Sequence, residues 1–168
     1  MNADYYYGPQ KLYFDKIISS IIKIGNLNND SKAILDFGCG TKELQKKLKK
    51  KILNYDTNKK YSDHDDFINL KFDIVVFNHV LMYMDETEIK STLDVIKKIN
   101  KNCKIIIGVG KSTMINKLAS WMTLNFEAHK GGKTTSSQQL KIVFNHTKQI
   151  KSKKNIYYMT DVFLLEFK

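Results

Sequence analysis

The chain has 168 residues, 42% apolar and 27% charged, with a single proline, no repeat and no low-complexity linker. That describes one domain spanning residues 1–168, with enough apolar material for a full core and no internal boundary. No apolar run is long enough to cross a bilayer as a helix, so no membrane partner is expected.

The formal net charge of +11 invites a nucleic-acid reading. Every basic residue is lysine, however, and there is no arginine. Forked recognition of phosphates and base edges leans on arginine's planar guanidinium. The lysines are also spread out, with runs at Lys46–Lys51 and Lys151–Lys154, and solvated lysine faces are the favoured reading. Cys39 and Cys103 make neither a metal spacing nor a disulfide framework. Met1-Asn2-Ala3-Asp4 lacks the basic-then-apolar profile of a secretory leader. A reduced, cytoplasmic protein, monomeric or weakly dimeric, is the expectation.

Residues 9–24 put Leu12, Ile17, Ile18, Ile21 and Ile22 on one helical face, with Tyr13 and Phe14 beside them and Pro9 in the first turn. With the tyrosines at 5–7 this forms an N-terminal helical cap segment, residues 1–30. Ala33-Ile34-Leu35-Asp36-Phe37 follows as a short apolar run carrying an acid near its end. Gly38 and Gly40 come next, one residue apart, and then a lysine-covered helix with Leu44 and Leu48 inward. Strand, tight turn, helix is the first βα unit of an open α/β sheet, where a nucleotide-like ligand sits at the strand's carboxyl end. A dinucleotide fingerprint would need a third glycine at 43, but Glu43 stands there, and its carboxylate would repel a pyrophosphate.

Ile52–Asp56 reads as the second strand. Asp56 ends it, and its ionised carboxylate can accept two hydrogen bonds at once, as a ribose diol requires. Residues 57–71 are too few for a full helix and strand, so the helix is reduced or missing and the edge strand short. Asp63, His64, Asp65 and Asp66 fit neither an EF-hand nor a zinc spacing, and no metal is expected. Lys71–Phe77, apolar and β-branched, is a strand buried on both faces. Asp85 caps a helix through Ile89, Leu93, Ile96 and Ile99, with Glu88 completing a capping box.

Cys103–Val109 is the next strand. The following Gly-Lys-Ser resembles a P-loop, but the glycine required at 105 is Ile105, and for Gly131-Gly132-Lys133-Thr134 the required position is Glu127. Residues 112–126 read as a helix, 127–137 as a polar loop holding His129, and 137–144 as a short helix. Two strands, 147–158 and 161–167, join near Met159-Thr160.

The phrase Leu35-Asp36-Phe37-Gly38-Cys39-Gly40-Thr41 resembles the first motif of class I S-adenosylmethionine-dependent methyltransferases, in particular small, type 11-like members. Lys42 stands where that family usually has glycine. The resemblance implies a Rossmann-like, doubly wound α/β fold. Its mostly parallel seven-stranded sheet has the order 3-2-1-4-5-7-6, an antiparallel last strand and here an abbreviated helix B/strand 3 region.

The resemblance also implies S-adenosyl-L-methionine as cofactor and S-adenosyl-L-homocysteine as product. Asp36, Phe37, Gly38, Cys39 and Gly40 surround the methionine part, Asp56 takes the ribose, Asp66 with Phe67 meets the adenine, Phe77 and Asn78 also bind the cofactor, and Asn78 and His79 sit where the transferred methyl would be. His79 is the first candidate general base and His129 the second. Tyr7, Tyr83 and His129 face the substrate. A small-molecule methyl acceptor is favoured. Two alternatives are an RNA methyltransferase and a non-catalytic S-adenosylmethionine-binding protein. The first lacks the Asn-Pro-Pro-Tyr or Asp-Pro-Pro-Tyr tetrapeptide, because Phe77-Asn78-His79-Val80 stands there.

Overall fold

In the computed structural model, which describes residues 9–29, 31–111, 132–157 and 159–168, the apolar runs become the middle of one sheet. β1 (Ile34–Phe37), β3 (Ile74–Asn78) and β4 (Lys104–Gly110) are parallel neighbours, with β2 (Leu53–Tyr55) parallel on the outer side of β1. β6 (Thr160–Phe167) runs antiparallel to β4, and β5 (Thr147–Ile156) closes the other edge, giving the order β2-β1-β3-β4-β6-β5.

Helices cover both faces, which is why the central strands carry no polar alternation. On one face α3 (Glu86–Ile99) and α4 (Ser136–His146) set Ile89, Leu93, Ile96, Ile142 and Val143 against Leu35, Phe77, Ile105 and Ile107. On the other, α1 (Pro9–Gly25) and α2 (Glu43–Leu48) set Ile17, Ile18, Ile21 and Leu44 against Ile34, Val76 and Ile106. The split of Ile105 and Ile107 from Ile106 is the period-2 alternation of a strand. Each such side chain contributes about 1.5–3 kcal/mol when fully buried.

The Asp85 capping box forms as read: Asp85 Oδ1 accepts from Glu88 N at 2.8 Å and Glu88 Oε2 from Asp85 N at 2.7 Å. A second box, Thr135 with Gln138, starts α4.

The seven-strand expectation is corrected: the described residues form a six-stranded sheet. The order is the expected one with the third strand removed. Residues 57–71 hold turns and bends in place of a short edge strand. The reason is length. A parallel crossover from β2 to β3 normally consumes a dozen or more residues, and this polar stretch spends all of its own on the crossing. The helix expected at 112–126, the loop with His129, and Tyr5, Tyr6 and Tyr7 lie outside the described residues. No helix among the described residues is long and apolar enough to cross a membrane.

Candidate functional site at the carboxyl edge of the sheet

The register fixes which side chains meet. Phe37 pairs with both Tyr55 and Phe77, and Asn78 pairs with Gly108. The ends of β1, β2, β3 and β4 therefore lie along one edge, bringing together the β1–α2 turn, Asp56, Asn78 and His79.

The turn is held to β2: Gly38 N and Cys39 N both donate to Tyr55 O, at 2.8 and 3.1 Å. Gly38 is required twice over. Its φ is +76°, and a Cβ there would sit 2.4 Å from Val80 Cγ2. Gly40 differs. Its φ is +47°, but nothing lies within 4 Å of where its Cβ would be, so its bare backbone faces open space. Lys42, at the family's glycine position, adopts φ +62° despite its side chain. That costs about 1–2 kcal/mol. Its ammonium pairs with Asp63, whose other oxygen accepts from Asn54 Nδ2 at 2.8 Å, and the pair holds Asp63's carboxyl below its ordinary range.

Asp56 Oδ2 accepts from Gly40 N at 3.0 Å and Oδ1 from Asn58 N at 2.8 Å. A carboxylate has about four acceptor positions, so acceptor capacity remains. Asp36 is only 4% exposed and accepts no hydrogen bond from the described residues. Burial, then the nearby charge of Asp56, pushes its carboxyl up to about 7. The Cys39 thiol is pushed up to about 12 by burial and by the acids Asp36 and Asp56, which keeps it protonated and unreactive.

Asn78 ends β3 with a buried Oδ1 that has no partner among the described residues. Gly108 makes room for it, since a Cβ there would be 3.0 Å from that oxygen. His79 adopts φ +57°, and its N–H donates to Gly108 O at 3.0 Å. Its Nε2 lies 3.3 Å from Thr160 Oγ1, and the Phe14 ring meets it edge-on with centroids 6.3 Å apart.

The other expected residues fall elsewhere. The Phe37 and Phe77 side chains are buried in an aromatic block, 5.0 Å apart between centroids, with Tyr55 and Phe67. They support the edge from below and offer it only backbone. Asp66 is exposed, and its Oδ1 accepts from Ile68 N at 3.0 Å. Tyr83 is half-buried in the 3₁₀ turn Leu81–Tyr83 that follows Val80. Tyr7 and His129 lie outside the described residues. Two residues that local reading missed lie beside the site: Thr160, from β6, reaches His79, and Tyr13, from α1, reaches Thr160. Nothing local marks them.

A surface cavity of about 310 Å³ opens at the opposite, amino edge of the strands, lined by Ala33, Lys71, Phe72, Asp73, Ile99 and Asn100. Its polar groups are spent on structure: Asp73 Oδ2 accepts from Ala33 N and Asn100 Nδ2 donates to Phe72 O, both at 2.9 Å. The carboxyl edge, where the acids and the open glycine converge, is the candidate site.

The sequence matches no family model and no curated protein. Solved structures match throughout the chain, and the fold is that of the class I S-adenosylmethionine-dependent methyltransferases. Among the similar structures is magnesium protoporphyrin IX methyltransferase (ChlM) from Synechocystis PCC 6803 with bound SAH, at TM-score 0.61 and 14% identity, covering 97% of this chain and 91% of that one. N-methyltransferase NodS from Bradyrhizobium japonicum WM9, in complex with S-adenosyl-L-homocysteine, aligns at TM-score 0.65 and 11% identity over 92% of this chain and 87% of its own. A chain of the Pnkp1/Rnl/Hen1 RNA repair complex aligns at 0.63 and 12% identity, over 92% of this chain and 41% of that one.

Proposed function

We propose that this protein is an S-adenosyl-L-methionine-dependent methyltransferase acting on a small-molecule acceptor, with S-adenosyl-L-homocysteine as the product. The observation that carries the reading is the meeting, at one sheet edge, of a bare turn at Gly40 with the two acids Asp36 and Asp56. The donor set fits the cofactor. Open space at the Gly40 Cβ position admits a close approach, Asp36 is a buried acid with no donor among the described residues, suited to an ammonium, and Asn78 Oδ1 is an orphaned buried acceptor.

When bound, S-adenosylmethionine supplies a methyl already activated by its sulfonium. Asp56 would accept from the ribose hydroxyls. Asp36 would face the methionine ammonium, whose charge would favour the ionised carboxylate. The backbone at Gly38, Cys39 and Gly40, with that of Phe37, Phe77 and Asn78, shapes the walls, and Asp66 offers an acceptor on the adenine side. Orientation supplies most of the rate in such a site. His79 would take the acceptor's proton, a role typically worth about 10²–10⁴-fold. On the resemblance, Tyr83, Tyr7 and His129 would face the acceptor. The protein works in a reduced, cytoplasmic setting as a monomer or weak dimer.

The small-molecule acceptor is favoured by the all-lysine charge and by similarity to proteins whose names specify small acceptors, magnesium protoporphyrin IX and N-acetylserotonin. The RNA alternative draws on the net charge and on the likeness to the RNA repair complex. A cell extract incubated with labelled S-adenosylmethionine and this protein tests both: label is expected in the small-molecule fraction, and label in RNA overturns that choice. Calorimetry showing no affinity for S-adenosylhomocysteine would overturn the activity itself.

A further inference from the structure

His79 is placed with unusual care for a loop residue. Its left-handed φ of +57° costs of order 1–3 kcal/mol and persists only where the surroundings over-determine it. Here they do. Gly108 O takes its N–H at 3.0 Å, and Val80, the next residue, packs against the bare Gly38. The imidazole lies over Gly110, where a Cβ would be 3.4 Å from Cε1 and 3.5 Å from Nδ1. The backbone thus fixes where the ring is. It does not fix the ring flip.

Thr160 supplies that. It sits directly opposite Gly110 in the β4–β6 register and is 0% exposed. Its Oγ1 lies 3.3 Å from His79 Nε2 and is also hydrogen-bonded to the Tyr13 hydroxyl, from α1. Tyr13 is braced in turn by Phe14, at 5.1 Å between centroids, and by Tyr157 at 6.2 Å. Burial raises the Tyr13 phenol above its usual value, so it remains a neutral hydroxyl through the physiological range. The chain Tyr13–Thr160–His79 joins a helix, a strand start and the post-β3 loop.

We infer that Thr160 and Tyr13 are positioning residues that hold the ring orientation of His79, through the hydrogen bond at Nε2, for proton transfer from the methyl acceptor. The proton-transfer part rests on the methyltransferase reading; the positioning part does not.

The test uses the full chain labelled with ¹⁵N-histidine, because ring nitrogen shifts report the hydrogen bonding of each ring nitrogen. Thr160→Val keeps the shape and removes the hydroxyl, Tyr13→Phe removes the far end of the chain, and Thr160→Ser restores a hydroxyl. The expected result is changed His79 ring-nitrogen shifts in Thr160→Val, a smaller change in Tyr13→Phe, and the wild-type pattern in Thr160→Ser. Methyl transfer should fall about ten- to a hundredfold in kcat for Thr160→Val, with KM for S-adenosylmethionine unchanged. His79 shifts identical to wild type in folded Tyr13→Phe and Thr160→Val overturn the inference. Should Thr160→Val fail to fold, Tyr13→Phe alone decides, and an unmoved His79 pattern there overturns the inference equally. Absence of S-adenosylhomocysteine binding in the wild type refutes the activity, and the nitrogen spectra then decide the positioning separately.

Discussion

Asp36→Asn should make the ligand-free protein more stable at pH 8 while weakening its hold on the cofactor. In the folded chain burial and Asp56 raise the Asp36 carboxyl from 3.8 to about 7. Between those values the native state binds more protons than the unfolded state, so stability falls as pH rises through this window and levels off above about 7. A shift of about three units at 1.36 kcal/mol each is roughly 4 kcal/mol lost at pH 8. Asparagine removes that charge but brings amide hydrogens to be satisfied, costing about 1–3 kcal/mol. The net gain is roughly 1–3 kcal/mol, and at about 2–4 °C per kcal/mol for a domain of this size the rise in Tm is several degrees. At pH 5 the wild-type carboxyl is protonated in the folded chain, so the variant's advantage should shrink by roughly 3 kcal/mol, two units' worth. Thermal melts of both proteins at pH 5 and pH 8, with calorimetry of S-adenosylhomocysteine at pH 8, measure all of this. A Tm difference that is the same at both pH values would refute the burial argument, because Asp36 would then not titrate between them.

Gly38→Ala and Gly40→Ala should separate stability from binding. The first meets Val80 at 2.4 Å as well as a φ of +76° and should cost about 2–5 kcal/mol in chemical denaturation. The second meets only the backbone cost, about 1–2 kcal/mol, yet should reduce S-adenosylhomocysteine affinity by about tenfold or more by filling the approach. Equal affinity in Gly40→Ala and wild type would remove the turn from the site. Asp56→Ala deletes the acceptor of the Gly40 N–H and Asn58 N–H together with the proposed ribose contacts, each worth about 1.5–3 kcal/mol, so isothermal titration should show affinity down by at least about tenfold. Asp85→Ala, which breaks only the α3 capping box, should cost about 1 kcal/mol and 2–4 °C in Tm without touching affinity. For tRNA, binding is expected to be weak; a log–log salt slope of several phosphates' worth would favour the RNA alternative.

What the sequence determined by itself was everything carried by near neighbours along the chain. The β-branched runs around Ile34, Val75 and Ile106 make strands because such side chains pack a pleated sheet covered on both faces. Asp85 and Glu88 cap α3 because the partners lie within one turn. Asp36, Gly38, Gly40 and Asp56 were readable as a candidate site because a strand end, a bare turn and a second strand end have a fixed local order. Thr135-x-x-Gln138 carried the same kind of signal and could have been read the same way.

The tertiary structure alone decided what depends on register and on who lies opposite. Strand parity turned the Phe37 and Phe77 rings into the core and left Asp36, the residue before Phe37, facing the other side, where β1 sets it beside Asn54 of β2 and Val76 of β3. The third strand vanished because the β2–β3 crossing used up its residues. Tyr13 and Thr160, separated by 147 positions, meet only because β6 runs antiparallel beside β4 and sets Thr160 opposite Gly110. A hydrogen bond of that span leaves no periodic trace in sequence, since its partners share no local backbone geometry.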